Sequence, residues 1–341
     1  WRIFDGWIMG VALGVALGYE KQLIVSSLGL IGLGFDYDVK MHWRNLGFKK
    51  VLKLLPARSV DQGMDYGVSL VEINLASRMA DGTIRAYQQA LTLHMMPINL
   101  IGVAISNAAF PKLTERLGEG RDDLFRSDLR QILRVIIWLA LPVATITFFT
   151  RGYVVHFIRN AGDPLMAGIL GALCIAILFR TIYHMAARAF YARQDTKTPL
   201  YISFASIGLN VILAILLSTT FDMGAYGLAW AQSIVAVVEV AILFVVMERQ
   251  MPKLIDKKFT GAIWRMAAAT LVTGVVCYGA VLMLPFRELD NSFYSAFPRF
   301  VAIVLISFVA YGIMSKMLRL QEIEPVLDRI KRLVSRLDVG R

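Results

Sequence analysis

Apolar residues fall in blocks of about 20 along most of the 341-residue chain, each block bounded by a short polar or basic stretch. A helix rising about 1.5 Å per residue needs roughly that length to cross a hydrocarbon core roughly 30 Å thick. The pattern predicts complete spans over 60–79, 84–110, 135–151, 166–192, 199–219, 225–247, 266–284 and 299–317. Residues 7–19 precede them as an apolar half-span interrupted at Glu20-Lys21-Gln22, and 23–34 read as a helix extension or an interfacial segment. The span at 60–79 is the most polar, with Asp61, Gln62, Asp65, Glu72 and Asn74, and a tight turn is expected at Asp81-Gly82. Residues 41–58 set Leu46, Val51, Leu54 and Leu55 against Arg44, Lys49, Lys50, Lys53 and Arg58, the pattern of a helix lying on a membrane surface. A charged helical stretch is expected over 111–134, and a basic amphipathic helix from Leu318 to the end. The fold class is therefore an all-α polytopic membrane protein.

Composition agrees. The chain is 57% hydrophobic, above the roughly 45–50% of soluble domains. Its net charge of +11 would suggest nucleic acid in a soluble protein, but the basic residues lie between apolar blocks. Membrane topology and anionic lipid headgroups explain them better, and no nucleic-acid partner is expected. Lys and Arg crowd the segments at 40–58, 112–134, 193–197, 249–265 and 316–341 and are sparse at 80–84, 152–165, 220–224 and 285–298. That alternation predicts a multi-pass protein of eight complete spans after a truncated one, with a cytoplasmic C-terminus. Cys174 and Cys277 sit inside apolar spans without metal or redox spacing and read as packing residues.

Ionisable groups at membrane depth are costly and usually face a partner or a wet cavity. Glu72 lies mid-span, either as a buried carboxylate held by polar neighbours or as part of a cavity or cation site. Arg180, His184 and Arg188 recur at spacings of four, and Arg180 lies about 18 Å from the basic end of its span. Glu239, mid-span at 225–247, is the natural partner for Arg180; an ordinary ion pair within the bundle and a functional charge network are both open readings. His94 reads as a satisfied interior histidine, and Arg85 as an interfacial anchor or a cavity cation. No P-loop, zinc spacing or nucleophile–base arrangement occurs, which argues against a pump driven by ATP or a membrane hydrolase. A secondary transporter with a central cavity fits these features, and no enzymatic chemistry is expected.

One ordered set of motifs carries a family resemblance. Ala189-Phe190-Tyr191-Ala192-Arg193-Gln194-Asp195-Thr196-Lys197-Thr198-Pro199 resembles the turn between helices ten and eleven of the MurJ (MviN) lipid II flippases, within the multidrug/oligosaccharidyl-lipid/polysaccharide exporter superfamily. Val71-Glu72-Ile73-Asn74-Leu75-Ala76-Ser77 is similar to the family's helix seven, PINLIGVAISNAAFP at 97–111 to its helix eight, and Gly227-Leu228-Ala229-Trp230-Ala231 to the opening of its helix twelve. The resemblance implies the end of helix six and helices seven to fourteen, the C-terminal lobe of a longer, two-lobed exporter. Residues 1–34 would be the truncated helix and its extension, 35–59 a cytoplasmic amphipathic segment, 60–247 helices seven to twelve, 248–317 helices thirteen and fourteen, and 318–341 a basic cytoplasmic tail.

The implied activity is translocation of an undecaprenyl-diphosphate-linked peptidoglycan precursor, lipid II, across the bacterial inner membrane by alternating access. The last two helices would form a groove for the lipid tail, unless they are ordinary lipid-facing helices. Substrate-facing candidates are Arg85, Gln88, Thr92, Glu72 and Asn74. Thr92 stands where the family carries an arginine, and Arg85, seven residues earlier on the same helical face, is expected to take over part of the diphosphate contact. Glu72 stands at the family's Asp position; with Asn210 and Gln232 it would hold a coupling ion, Na⁺ or H⁺, oxygen donors suiting a hard cation. No other cofactor is expected. Membrane lipids and cell-wall synthesis proteins are further expected partners. The alternatives are a sibling exporter of lipid-linked oligosaccharides or drugs, and a non-transporting scaffold for cell-wall synthesis.

Overall fold

The computed structural model describes residues 8–28, 66–158, 162–252, 254–285 and 293–324. The surface segment expected at 41–58 and all of the basic tail beyond 324 lie outside them, as do the first residues of the span at 60–79.

The described residues are helical with no strand among them. Helix α1, Ile8–Leu28, belongs to a first unit, Trp1–Pro56. The second unit holds α2 (66–77), α3 (Thr83–Gly118), α4 (Asp122–Ile158), α5 (Pro164–Ala192), α6 (Lys197–Thr220), α7 (Gly224–Gln250), α8 (Lys257–Met283) and α9 (Phe293–Met317), closed by a 3₁₀ turn at Gln321–Ile323. Among the described residues, seven helices, α3 to α9, are long and apolar enough to cross a membrane. The molecule is an integral membrane protein of helical-bundle architecture.

α5 is the central post, packed against α3, α4 and α7; α6 lies on α7, and α8 on α4 and α9. Two apolar cores mark its ends. One gathers Met166, Ile169 and Leu170 with Tyr87, Ala90 and Leu228, and the other Met185 and Phe190 with Leu133, Met247 and Met266. Small residues set the closest approaches. A Cβ on Gly102 would come within 2.9 Å of the Thr181 backbone, so α3 rests directly on α5 there. A Cβ on Gly227 would lie 2.6 Å from the Leu217 carbonyl carbon, which joins the last turn of α6 to the first of α7.

Three expectations are corrected. Glu20-Lys21-Gln22 does not interrupt α1, which runs on to Leu28, because all three are good helix formers and charge alone does not break the backbone ladder. Pro111 does not end the span that began at 84. α3 continues through it to Gly118, and the separate helix expected at 111–134 is divided between α3 and α4. The break falls at Gly120, whose φ of 69° is the left-handed conformation that ends helices. The true irregularity of α3 lies upstream: Pro97 has no N–H to give, and a π-helical segment, Ile98–Val103, follows it. The turn expected at Asp81-Gly82 is present, with Gly82 at φ 86°.

Candidate functional site

The polar residues of the bundle separate into an exposed wall and a buried core. On α3 the side turned to the bundle carries Tyr87, Ala90, His94 and Ile98, all buried. The opposite side carries Arg85, Gln88, Thr92 and Asn99, all exposed, with Met95 and Met96 between them. Spacings of three and four keep these residues on one stripe. From Arg85 to Asn99 it rises about 21 Å, much of a hydrocarbon core. Asn107, also exposed, extends it and accepts a 2.6 Å hydrogen bond from Arg188 Nη2. Thr92 Oγ1 donates to the Gln88 carbonyl at 2.9 Å, while the Gln88 amide and the Arg85 guanidinium point out of the bundle. Asn74 is exposed on α2. Polar groups in such a row cannot rest against hydrocarbon without large cost. The wall is therefore built to face water, another part of a larger protein, or a polar ligand.

Glu72 is not on that wall. It is 1% exposed on the inner side of α2, and its Oε1 accepts a 2.9 Å hydrogen bond from Gln232 Nε2 on α7. The Tyr87 hydroxyl from α3 lies beside the same carboxylate without the alignment of a full hydrogen bond. Seven residues along α7, two turns on the same face, Glu239 is 2% exposed and pairs with Arg180 Nη1 of α5 at 2.8 Å. Ser203 of α6 lies 3.5 Å from Glu239 and 2.9 Å from the Tyr183 hydroxyl. One face of α7 thus holds a carboxylate donated from α2 and a guanidinium donated from α5. The Arg180 charge also acts on Glu72 and on His94, whose Nδ1 lies 2.6 Å from the Leu91 carbonyl.

Asn210 belongs to this core by register. The contacts of Ser203 with Glu239 and of Ser218 with Gly227 fix α6 antiparallel to α7 and set Asn210 level with the Gln232 turn. Its side chain is buried and its Oδ1 has no hydrogen-bond partner. A buried amide oxygen without a donor, level with a turn that carries a carboxylate and a second amide, has the donor chemistry that suits a hard cation. Glu72, Gln232 and Asn210 fit such an ion by donor type. Among the described residues no three His, Cys, Asp or Glu side chains cluster as a transition-metal site.

Of the charges spaced along α5, Arg180 enters the buried core, while Arg188 bonds outward to α3 and also donates to the His184 carbonyl at 3.4 Å. His184 contacts the Tyr183 ring. Tyr87, Tyr183, Ser203 and Asn107 escaped the sequence reading. Ser203, Ser206 and Asn210 recur at three and four in an otherwise apolar helix, a signal that was there to find.

The turn between α5 and α6 is held by Asp195. Its carboxylate accepts from Thr198 N at 3.0 Å, from Thr198 Oγ1 at 2.6 Å and from Gln250 Nε2 at 3.2 Å, with Gln194 at φ 61° completing the bend. At the same end of the bundle Arg130 pairs with Asp256 at 2.7 Å and Arg134 pairs with Glu322. The opposite end, at the α2–α3 and α6–α7 turns, carries far fewer cations.

A family model described as "Lipid II flippase MurJ" matches residues 2–301. A probable lipid II flippase MurJ of Thermotoga maritima is 26% identical over 333 residues, covering 96% of this chain and 64% of its own. A solved lipid II flippase MurJ in an inward closed conformation superposes with a TM-score of 0.64 at 21% identity, over 86% of this chain and 58% of that one. A MOP superfamily transporter from Pyrococcus furiosus superposes at a TM-score of 0.55 and 13% identity, over 80% and 66%. The chain thus spans about 60% of the length of these two MurJ proteins.

Proposed function

The chain belongs to the lipid II flippase MurJ family, and from that premise we propose that it forms one lobe of a flippase moving lipid II across the bacterial inner membrane by alternating access. The observation that carries the reading is the exposed polar stripe of α3. A diphosphate cannot enter hydrocarbon without substitutes for its hydration, and Arg85, Gln88, Thr92 and Asn99 offer a graded row of donors along the crossing path. Arg85 supplies the charge and the deeper amides and hydroxyl supply neutral hydrogen bonds, so the headgroup is held without being trapped. The buried core backs the wall: α2 and α5 are both tied to α7, and α3 rests on α5 at Gly102. Helices tied together in this way are suited to moving as a body, which is what alternating access requires.

Glu72, Gln232 and Asn210 are proposed to hold the coupling ion, Na⁺ or H⁺, the carboxylate supplying charge and the amide oxygens the remaining ligation. The basic ends of α3, α4 and α8 and the basic α5–α6 turn favour a cytoplasmic placement of that side, and with it a cytoplasmic C-terminus. The same arrangement supports reading the mechanism as secondary and ion-driven rather than enzymatic.

The experiment is flipping by the reconstituted full-length protein that contains this chain. Lipid II should cross while lipid-linked oligosaccharides of the O-antigen type should not; equal transport of both would replace the reading with a general exporter. Sodium should raise the melting temperature of the wild type and leave Glu72→Ala unmoved. Equal shifts in both would remove Glu72 from the ion site.

A further inference from the structure

Away from the polar wall, two apolar cavities adjoin at the end of α4. The larger, 570 Å³, is a groove between α4 and α5 walled by Leu141, Ala144, Ile175 and Phe179, with Trp230 of α7 alongside. The smaller, 460 Å³, reaches from α4 to Tyr278 and Val281 of α8. Both fall in the roughly 300–1,000 Å³ range of ligand pockets. They share two residues, Phe148 and Arg151, and Arg151 is the only charged side chain lining either.

Arg151 is held in place without being neutralised. Its Nη1 donates to the Phe148 carbonyl at 2.6 Å and its guanidinium lies 4.6 Å from the centre of the Phe148 ring. Its stem lies against Gly171, where an added Cβ would come within 3.1 Å of it. Among the described residues no carboxylate pairs with it. It stands seven residues before the end of α4, about 10 Å along the helix. Tyr226 packs on Gly168 at that end and Trp230 lines the groove, the aromatic pairing found where membrane meets water. An arginine at the edge of a membrane span, with no carboxylate beside it, is suited to meet an anion, and a guanidinium fork matches a phosphate.

We infer that Arg151 and its two flanking grooves bind one diacyl anionic phospholipid, the phosphate on the guanidinium and one acyl chain in each groove. Two apolar channels diverging from a single cation fit a two-chain lipid better than a single-chain polyprenyl diphosphate. The larger groove includes no residue of α8 or α9, whereas the smaller borders Tyr278 and Val281 of α8, one of the two helices expected to hold the substrate's tail. The inference rests on membrane insertion, and the displacement arm below separates a phospholipid from the substrate's own tail.

The test uses the full-length protein in phosphatidylcholine nanodiscs doped with phosphatidylglycerol brominated on its acyl chains. Trp230 is the reporter, read as the difference in fluorescence quenching between the wild type and Trp230→Phe. Brominated phosphatidylglycerol should quench Trp230 at mole fractions where brominated phosphatidylcholine does not. Arg151→Gln should raise the half-quenching fraction about fivefold, the equivalent of about 1 kcal/mol per cation at a membrane surface. Ala144→Phe, which fills the groove and keeps the charge, should abolish the quenching. Equal quenching by the two lipids, or indifference to Arg151→Gln, would show ordinary boundary lipid and overturn the inference. Absence of quenching by either lipid would show the groove covered by another part of the protein. Displacement by undecaprenyl phosphate but not by unbrominated phosphatidylglycerol would give it to a single-chain lipid, and either result would overturn it.

Discussion

The outward stripe of α3 and the inward face of α7 use the same kinds of side chain at comparable membrane depth, yet they solve opposite problems. On α7, Gln232 and Glu239 lie two turns apart, and each meets a partner brought from another helix, Glu72 from α2 and Arg180 from α5. On α3, Arg85, Gln88, Thr92 and Asn99 repeat with the same helical regularity and meet no helix of the described bundle. Satisfied polar groups fix where helices sit relative to each other, since a buried carboxylate accepts few alternative geometries. Groups left exposed add nothing to the bundle's stability and are available to whatever enters. The bundle thus separates packed polar groups from open ones, by direction around the helix rather than by depth.

Under the proposed function that separation makes stability and transport dissociable, and the largest effect should appear in the core. Glu239→Ala leaves Arg180, with 28% of its side chain exposed, inside the bundle without its counter-ion. Breaking a buried pair from one side costs about 3–5 kcal/mol, and the partial exposure of Arg180 places this case at about 3. Thermal unfolding in detergent should show that loss. Joint replacement by Arg180→Met and Glu239→Leu should recover most of it, because two apolar side chains leave no charge to desolvate. A double variant as unstable as the single one would mean that the pair contributes more than charge balance, through Ser203 and Tyr183.

The wall should behave in reverse. Arg85→Ala removes an exposed side chain with no packing role, so melting should move by no more than about 0.5 kcal/mol. Flipping of lipid II by the full-length protein should fall about tenfold, near the lower end of what a charge-assisted hydrogen bond to phosphate contributes. Arg85→Lys should restore part of the rate. Unchanged flipping in Arg85→Ala would remove this residue from the diphosphate path, and a large melting shift would contradict its place on the wall.

The unequal legibility of these regions has a physical cause. The order of the apolar spans, the basic end and the pairing of Arg180 with Glu239 follow from hydropathy and from the cost of lone charges in a bilayer, both written directly in residue type. The family turn around Asp195 was equally plain, because its residues are set by local geometry. Direction around a helix axis was harder. Residue type alone groups Glu72 with Asn74, two residues apart, yet 100° per residue puts one on α7 and the other outside. Tyr87 is two residues from Arg85 and lies on the other side of the same helix. The end of α3 was misplaced because Pro111 is a strong breaker in water but is tolerated in a membrane helix, where Gly120 was free to set the true boundary.

The α5–α6 turn supplies a third polar environment, open to bulk water, and so sharpens the contrast by a test the buried core does not allow. Partial burial alone would raise the Asp195 carboxyl, but hydrogen bonds from the Thr198 hydroxyl and amide, from Gln250 and from the Lys197 amide outweigh it and hold the group below its ordinary value of 3.8. A carboxyl depressed by folding contributes stability that is fully present above the unfolded value and is lost as pH falls through the folded one. Asp195→Ala should therefore destabilise the protein by about 1 kcal/mol at pH 7, in the range of a lost helix cap. That difference from the wild type should shrink as the pH drops below about 3.8, where the wild type too becomes protonated. Chemical denaturation of both proteins across that interval reads the effect. A gap that stays constant into acid would mean that the turn is held by backbone shape at Gln194, and not by the charge that Thr198 and Gln250 surround.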